Sequence, residues 1–256
     1  MMKKTILLSN DDGINSAGLS ALAGALEHLG EIYIVAPDRE QSASSHALSI
    51  HRPLRMDKVA ENSYSVDGTP TDCINLAING LLKEKKPDLV VSGINKGENL
   101  GDDITYSGTV SAAIEGTLLA VPSVALSAEG RKDFNFDAAC HYSAKIAQYV
   151  LQKGLPADTL LNVNIPKLDL DDIKGIKITR QGKRIYNDAV VEKIDPRGRE
   201  YYWIGGDELG SVELDNSDID SVKSGYVSVT PIKLDLTDYG YIKFLEQDFV
   251  KLKKHA

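Results

Sequence analysis

The chain has 256 residues, the size of one large domain or two small ones. Asp and Glu outnumber Lys and Arg 37 to 29, a formal net charge of -8, and 42% of residues are hydrophobic. These values exclude a disordered chain, which is poor in apolar residues, and a fold built on duplex DNA, which concentrates Lys and Arg against phosphates.

Residues 5–9, Thr-Ile-Leu-Leu-Ser, read as a short buried strand. The apolar run is too short for a secretion signal or a membrane span, which predicts a cytoplasmic protein with no membrane partner. Ser16 caps a helix whose apolar positions, Leu19, Leu22, Ala23, Leu26 and Leu29, form one stripe, with Gly30 as its terminal glycine. Residues 32–36 form a second strand, ended by Pro37. Strand, helix and strand in this order imply parallel pairing with a right-handed crossover.

Residues 49–56 and 63–66 are expected strands around a turn at Glu61-Asn62. Residues 71–82 read as a helix, with Ile74, Ala77, Ile78 and Leu81 on one face. Residues 88–92 form a third core strand, and a glycine-rich polar loop spans 93–108. A helix over 109–120, a strand over 123–127, a helix over 136–152 and a strand over 160–165 follow. Cys73 and Cys140 are too few and too far apart for a disulfide scaffold or a zinc cluster, and read as reduced thiols.

Near residue 170 the pattern changes. Residues 176–180 and 226–230 alternate as half-buried strands do. Between them, 189–194 and 200–204 flank Asp195-Pro196-Arg197-Gly198, a hairpin signal. The hairpin carries Tyr201, Tyr202 and Trp203, the single tryptophan. Residues 241–253 close the chain as an amphipathic helix with Ile242, Leu245, Phe249 and Leu252 on its apolar side.

Ligands of open parallel sheets bind beyond the carboxyl ends of the strands. Three polar clusters fall there: Ser9-Asn10-Asp11-Asp12-Gly13, the stretch from Asp38 to His46, and Ser92-Gly93-Ile94-Asn95-Lys96-Gly97. Asp11 and Asp12 repel each other, and holding both ionised in a crevice calls for a cation. The other donors are oxygens, the Ser42 or Ser45 hydroxyl and the Asn95 amide, a set that suits Mg²⁺ or Mn²⁺ better than zinc. A fourth cluster, Tyr106-Ser107-Gly108-Thr109, opens a helix, where exposed N–H groups and the helix dipole favour an anion. A cation and an anion-binding helix start in one crevice point to phosphate ester chemistry.

These residues, with Ala36-Pro37-Asp38-Arg39, Asp67-Gly68-Thr69-Pro70-Thr71-Asp72-Cys73, Gly97-Glu98-Asn99 and Val110-Ser111-Ala112-Ala113, resemble the survival protein E (SurE) nucleotidases. The matching blocks run in order across about residues 6–128. The resemblance implies a metal-dependent phosphatase of nucleoside 5′-monophosphates, and of 3′-monophosphates as well. It carries the metal ligands, for one divalent cation per subunit, to Asp11, Asp12, Ser42 and Asn95. Asp11 and Asp12 are also the expected catalytic residues, with metal-activated water as nucleophile and direct attack by an aspartate as the rival.

The resemblance carries the phosphate loop to Ser107, Gly108 and Thr109, and Asn10 is grouped with them. Ser45, His46 and Asn99 are further candidates without an assigned role. The implied fold is α/β: a Rossmann-like three-layer sandwich with a mainly parallel sheet, a catalytic core over 1–170 and a C-terminal part over 171–256. The C-terminal hairpin and terminal helix are expected to build a homodimer or homotetramer. One departure stands out: many members have Gly after the ligand serine, where this chain has Ala43. The other functional readings are a broad acid phosphatase or exopolyphosphatase, and a nucleotide-binding sensor without turnover.

Overall fold

The computed structural model describes residues 3–130, 134–185, 190–204 and 210–252. In chain order the elements are β1 (Thr5–Ser9), α1 (Ala17–Leu26), β2 (Glu31–Pro37), β3 (Met56–Ala60), β4 (Ser63–Val66), α2 (Pro70–Leu76), β5 (Leu89–Lys96), α3 (Gly108–Leu118) and β6 (Ser123–Ala128). Then come α4 (Asp137–Lys153), β7 (Thr159–Ile165), β8 (Ile176–Ile178), β9 (Arg184–Ile185), β10 (Val190–Ile194), β11 (Glu200–Ile204), β12 (Gly210–Ser211), α5 (Asp218–Lys223), β13 (Val227–Lys233) and α6 (Tyr239–Leu252).

Among the described residues, nine strands form one sheet in the order β3-β4-β2-β1-β5-β6-β7-β13-β8. The six strands from β4 to β7 are parallel, while β3 at one edge and β13 and β8 at the other run against them. Alternation along the central strands sends side chains to both faces. Ile6 and Leu8 of β1 join Leu89 and Val91 of β5 in a core with α1 and α4. Leu7 and Val90 point the other way, into a core with Cys73 and Ile74 of α2 and Ala112 of α3. Helices therefore cover both faces, and the fold is the expected three-layer α/β sandwich. Strands β13 and β8, from beyond residue 170, complete the same sheet as the core strands.

Local chemistry sets the element ends. Ser16 accepts from the Leu19 N–H at the start of α1, as its position predicts. Thr69 and Asp72 cap α2 reciprocally, with Pro70 in its first turn. Helix α1 stops at Leu26, earlier than the stripe to Leu29 suggests. Gly30 is thus not its terminal glycine; a Cβ there would stand 2.6 Å from the Lys4 carbonyl, so glycine lets β1 pass close by.

The strand expected over 49–56 lies later, at Met56–Ala60, because the two-residue turn at Glu61-Asn62 pairs β3 directly with β4. The expected helix over 71–82 changes to a π-helical turn at Ala77–Leu81. The loop after the third strand is partly ordered: β5 runs on to Lys96, and a 3-10 turn forms at Gly101–Thr105. Short elements β9, β12 and α5 carry too few residues to show a periodicity and were not expected. The hairpin pairs Val190 with Ile204 and Ile194 with Glu200; its expected first residue, Ala189, and the last of the terminal helix, Lys253, lie outside the described residues. Both apolar extensions are exposed, with Tyr202, Trp203 and Ile204 uncovered on the hairpin and Phe244 and Phe249 on α6.

Candidate active site

Strands β2, β1 and β5 are neighbours, so the loops leaving their carboxyl ends meet. The chain builds outward from β1 through β2 and β4, then returns to lay β5 on the other side of β1. Such a reversal opens a gap between successive loops. The gap is a cleft of about 450 Å³ lined by Asp11, Asp12, Glu40, Ser42, Ala43, Asn95, Lys96, Asn99, Asp103, Tyr106 and Ser107. Four of these side chains are carboxylates and one, Lys96, is an ammonium. Asp103 has a partner in Arg184, whose Nε donates to it at 2.8 Å.

Asp11 is buried at the start of α3. The Thr109 hydroxyl donates to its Oδ1, and the Thr109 main-chain N–H supports the same carboxylate. A Cβ on Gly108 would stand 2.7 Å from the Asp11 Cβ, so glycine is what lets the carboxylate sit there. The positive end of the helix dipole therefore serves Asp11, where the sequence reserves it for phosphate. Burial still wins over these bonds, and the Asp11 carboxyl lies above its usual pKa.

Asp12 is less buried but worse served. Its Oδ2 is shut off from solvent and has no hydrogen-bond partner among the described residues. Burial first, and the Asp11 charge second, push its pKa up to about 6, with Lys96 opposing. Two adjacent carboxylates, both driven toward protonation and one with an orphaned oxygen, fit a bound cation, which would relieve both costs at once.

The remaining donors are neutral. The Ser42 hydroxyl donates to Glu40 Oε1 at 2.6 Å. Asn95 Nδ2 donates to the Gly97 carbonyl at 2.8 Å, which leaves its amide oxygen available. Among the described residues, no group of three or more His, Cys, Asp or Glu is placed to hold a metal. A cation here would rest on two carboxylates and these neutral oxygens, a set suited to Mg²⁺ or Mn²⁺.

A model of the survival protein SurE family matches residues 6–188. The chain is 55% identical over 246 residues to the 5′-nucleotidase SurE of Geotalea daltonii, covering 94% of this chain and 98% of that one. It is 53% identical to the 5′-nucleotidase SurE of Geotalea uraniireducens, with the same coverage. The chain belongs to the SurE family. Its fold is similar to the crystal structure of the SurE protein from Aquifex aeolicus, with a TM-score of 0.85 and 48% identity over 95% of this chain and 98% of that one.

In this SurE family member, not every expected residue reaches the cleft. Asp11, Asp12, Ser42, Asn95, Asn99 and Ser107 are brought together, and Gly108 and Thr109 lie directly behind Asp11. Asn10 does not line it: Nδ2 is spent on the Gly13 carbonyl and Ser16 Oγ, and Oδ1 on the Gly13 N–H. That amide turns the chain from β1 toward α1. Asn99 is held by Asn162 and Asn164 of β7 and by Ser127 of β6. Ser45 and His46 also lie outside the cleft lining.

Ala43 and Ser45 are both left-handed, with φ of +57° and +52°. Glycine adopts that conformation without the Cβ penalty, which gives the departure at Ala43 its physical meaning. Glu40, Lys96 and Tyr106 lie in the polar clusters that the sequence marks but have no role of their own there, and Asp103 lies outside those clusters. The signal for Glu40 was its place two residues before Ser42 in the same loop.

Proposed function

We propose that this protein is a divalent-cation-dependent 5′-nucleotidase that hydrolyses nucleoside 5′-monophosphates, and also 3′-monophosphates, to nucleoside and phosphate. The observation that carries the reading is the Asp11–Asp12 pair at the sheet's switch point, Asp11 buried and Asp12 with a solvent-shielded oxygen that has no partner among the described residues, with Ser42 and Asn95 oxygens in the same cleft. Relatives more than 50% identical over nearly the whole chain are named 5′-nucleotidases, which supports the reaction class.

Asp11, Asp12, Ser42 and Asn95 would hold one Mg²⁺ or Mn²⁺ per subunit. When bound, the cation supplies charge neutralisation for the phosphate and acidifies a water. The protein's own groups do the rest. Asp11 is fixed by Thr109, which makes it a rigid ligand and proton acceptor rather than a mobile nucleophile. Ser107 accepts from the Val110 N–H, so its own proton remains free to donate to a phosphate oxygen. Lys96 adds the one positive side chain of the cleft lining. Tyr106, 60% exposed beside these polar groups, offers an aromatic face to a nucleobase and favours a nucleotide over a smaller phosphate ester.

Phosphate release from AMP and GMP, with and without added Mn²⁺ or Mg²⁺, tests the reading. Turnover is expected only with the cation, at rates above those on sugar phosphates or polyphosphate. Binding of nucleotide with no release under any divalent cation would overturn it in favour of a sensor.

Homodimer or homotetramer formation in the cytoplasm belongs to the same proposal. Among the described residues no helix is long and apolar enough to cross a membrane. The uncovered aromatic residues on β11 and α6 call for a partner surface. Trp203→Ala combined with Tyr202→Ala is expected to lower the assembly state in analytical ultracentrifugation. An unchanged sedimentation profile would remove the hairpin from the interface.

A further inference from the structure

The loop that carries Ser42 is built against its own backbone preference. Ala43 and Ser45 both occupy the left-handed region, which only glycine adopts without a Cβ penalty. A loop of this kind persists only where its surroundings over-determine it. Main-chain bonds hold part of it: Gln41 N–H donates to the Asp11 carbonyl at 2.8 Å and Ser45 N–H to the Tyr106 carbonyl at 3.2 Å. The His46 side chain ties the loop to α3. Its Nε2 lies 2.8 Å from Glu115 Oε2, in the middle of α3.

Glu115 is buried, and its other oxygen accepts from Asn75 Nδ2 of α2 at 2.7 Å. Asn75 is itself oriented by Asn79, which donates to its Oδ1. Burial alone would push the Glu115 carboxyl up, but the His46 and Asn75 bonds outweigh it and hold the pKa below the ordinary value. The acceptor is thus a fixed, ionised carboxylate, which strengthens the bond to the imidazole.

We propose that His46 is a positioning residue: through Glu115 it latches the Ser42 loop onto α3, setting the Ser42 oxygen against the Asp11–Asp12 pair without touching substrate. This rests on the cation site proposed above. A group that orients a metal ligand from behind changes metal affinity about 10- to 100-fold when removed. Loss of the latch therefore acts on cation binding and leaves the chemistry of the loaded site alone.

The test uses the full chain with Mn²⁺ as probe. His46→Ala is expected to weaken Mn²⁺ binding, measured by calorimetry, at least tenfold. Its kcat at saturating Mn²⁺ should stay within about threefold of the unmodified protein. Amide exchange over residues 41–47 should speed up in the metal-free protein. His46→Gln, which can still donate to Glu115, is expected to restore most of the affinity, and adding Glu115→Gln to His46→Ala should cost little more. Unchanged Mn²⁺ binding in His46→Ala overturns the latch. So does a kcat loss at saturating metal that His46→Gln fails to rescue, since that assigns the imidazole to the reaction itself. An unmodified protein that binds no Mn²⁺ overturns the cation site and the latch together.

Discussion

Asp11→Asn is expected to lower turnover by at least about 10³-fold, ~4 kcal/mol of transition-state stabilisation, while raising the melting temperature of the metal-free protein. The first effect follows from the proposed role: an amide cannot supply the negative charge that a divalent cation needs. The second follows from burial. Asp11 is almost wholly out of solvent, and its carboxyl is held above its usual pKa by desolvation despite the Thr109 bonds. An ionised carboxylate there opposes folding at neutral pH. Asparagine keeps an acceptor for the Thr109 hydroxyl and removes the buried charge. A gain of about 1–2 kcal/mol is expected, and each kcal/mol is worth roughly 2–4 °C in a chain of this size. Turnover like that of the unmodified protein would remove Asp11 from the mechanism. A fall in melting temperature at pH 7 without metal would show that the carboxylate stabilises the fold.

The second large effect is the dependence of stability on cation and pH together. Asp12 has its folded pKa pushed up to about 6, and Asp11 moves in the same direction. A carboxyl whose folded pKa lies above its unfolded value, about 3.9 for Asp, binds more protons folded than unfolded between the two. Its contribution is fully present below pH 4 and is lost as pH rises through about 6. Metal-free protein should therefore lose stability from these two groups between pH 4 and 7. Cation binding to the ionised pair reverses this. At 100 times its dissociation constant a ligand adds about 2.7 kcal/mol, or roughly 5–10 °C here. Differential scanning fluorimetry with Mn²⁺ and with EDTA should give a large shift at pH 7 that shrinks toward pH 5. A shift of equal size at both values would show that the cation binds elsewhere.

Much of the site was legible because its parts are short and local. Asp11-Asp12 after a buried strand, a serine-rich loop after the next and Asn95 after a third are readable as three strand ends. Their convergence follows from one inference, that the strands are neighbours. The cap at Ser16 was equally legible, since a capping oxygen acts within three residues. Less was legible where a side chain's partner lies far away in sequence or where one residue has two uses. Asn10 stands among site residues, yet its amide closes the turn beside them. The α3 start has the features of an anion site, and its Thr109 hydroxyl holds a carboxylate from 98 positions earlier. His46 looked like a loop histidine with an open role, and only the packing of α2 beside α3 supplies Glu115 and Asn75.

By itself, then, the sequence determined the α/β class, the parallel core, the family and the oxygen-rich strand ends that meet at the cleft. These depend on periodicity, on capping chemistry and on motifs read along the chain. Tertiary structure decided the electrostatics. It buried Asp11 against Gly108, left Asp12 with an orphaned oxygen and drew Glu40 and Asp103 into the cleft lining beside a single lysine. The net charge of -8 belongs to the whole chain, but what matters is the cost of desolvating particular carboxylates. Desolvation depends on what packs within a few ångströms, and that is set by contacts between residues far apart in sequence.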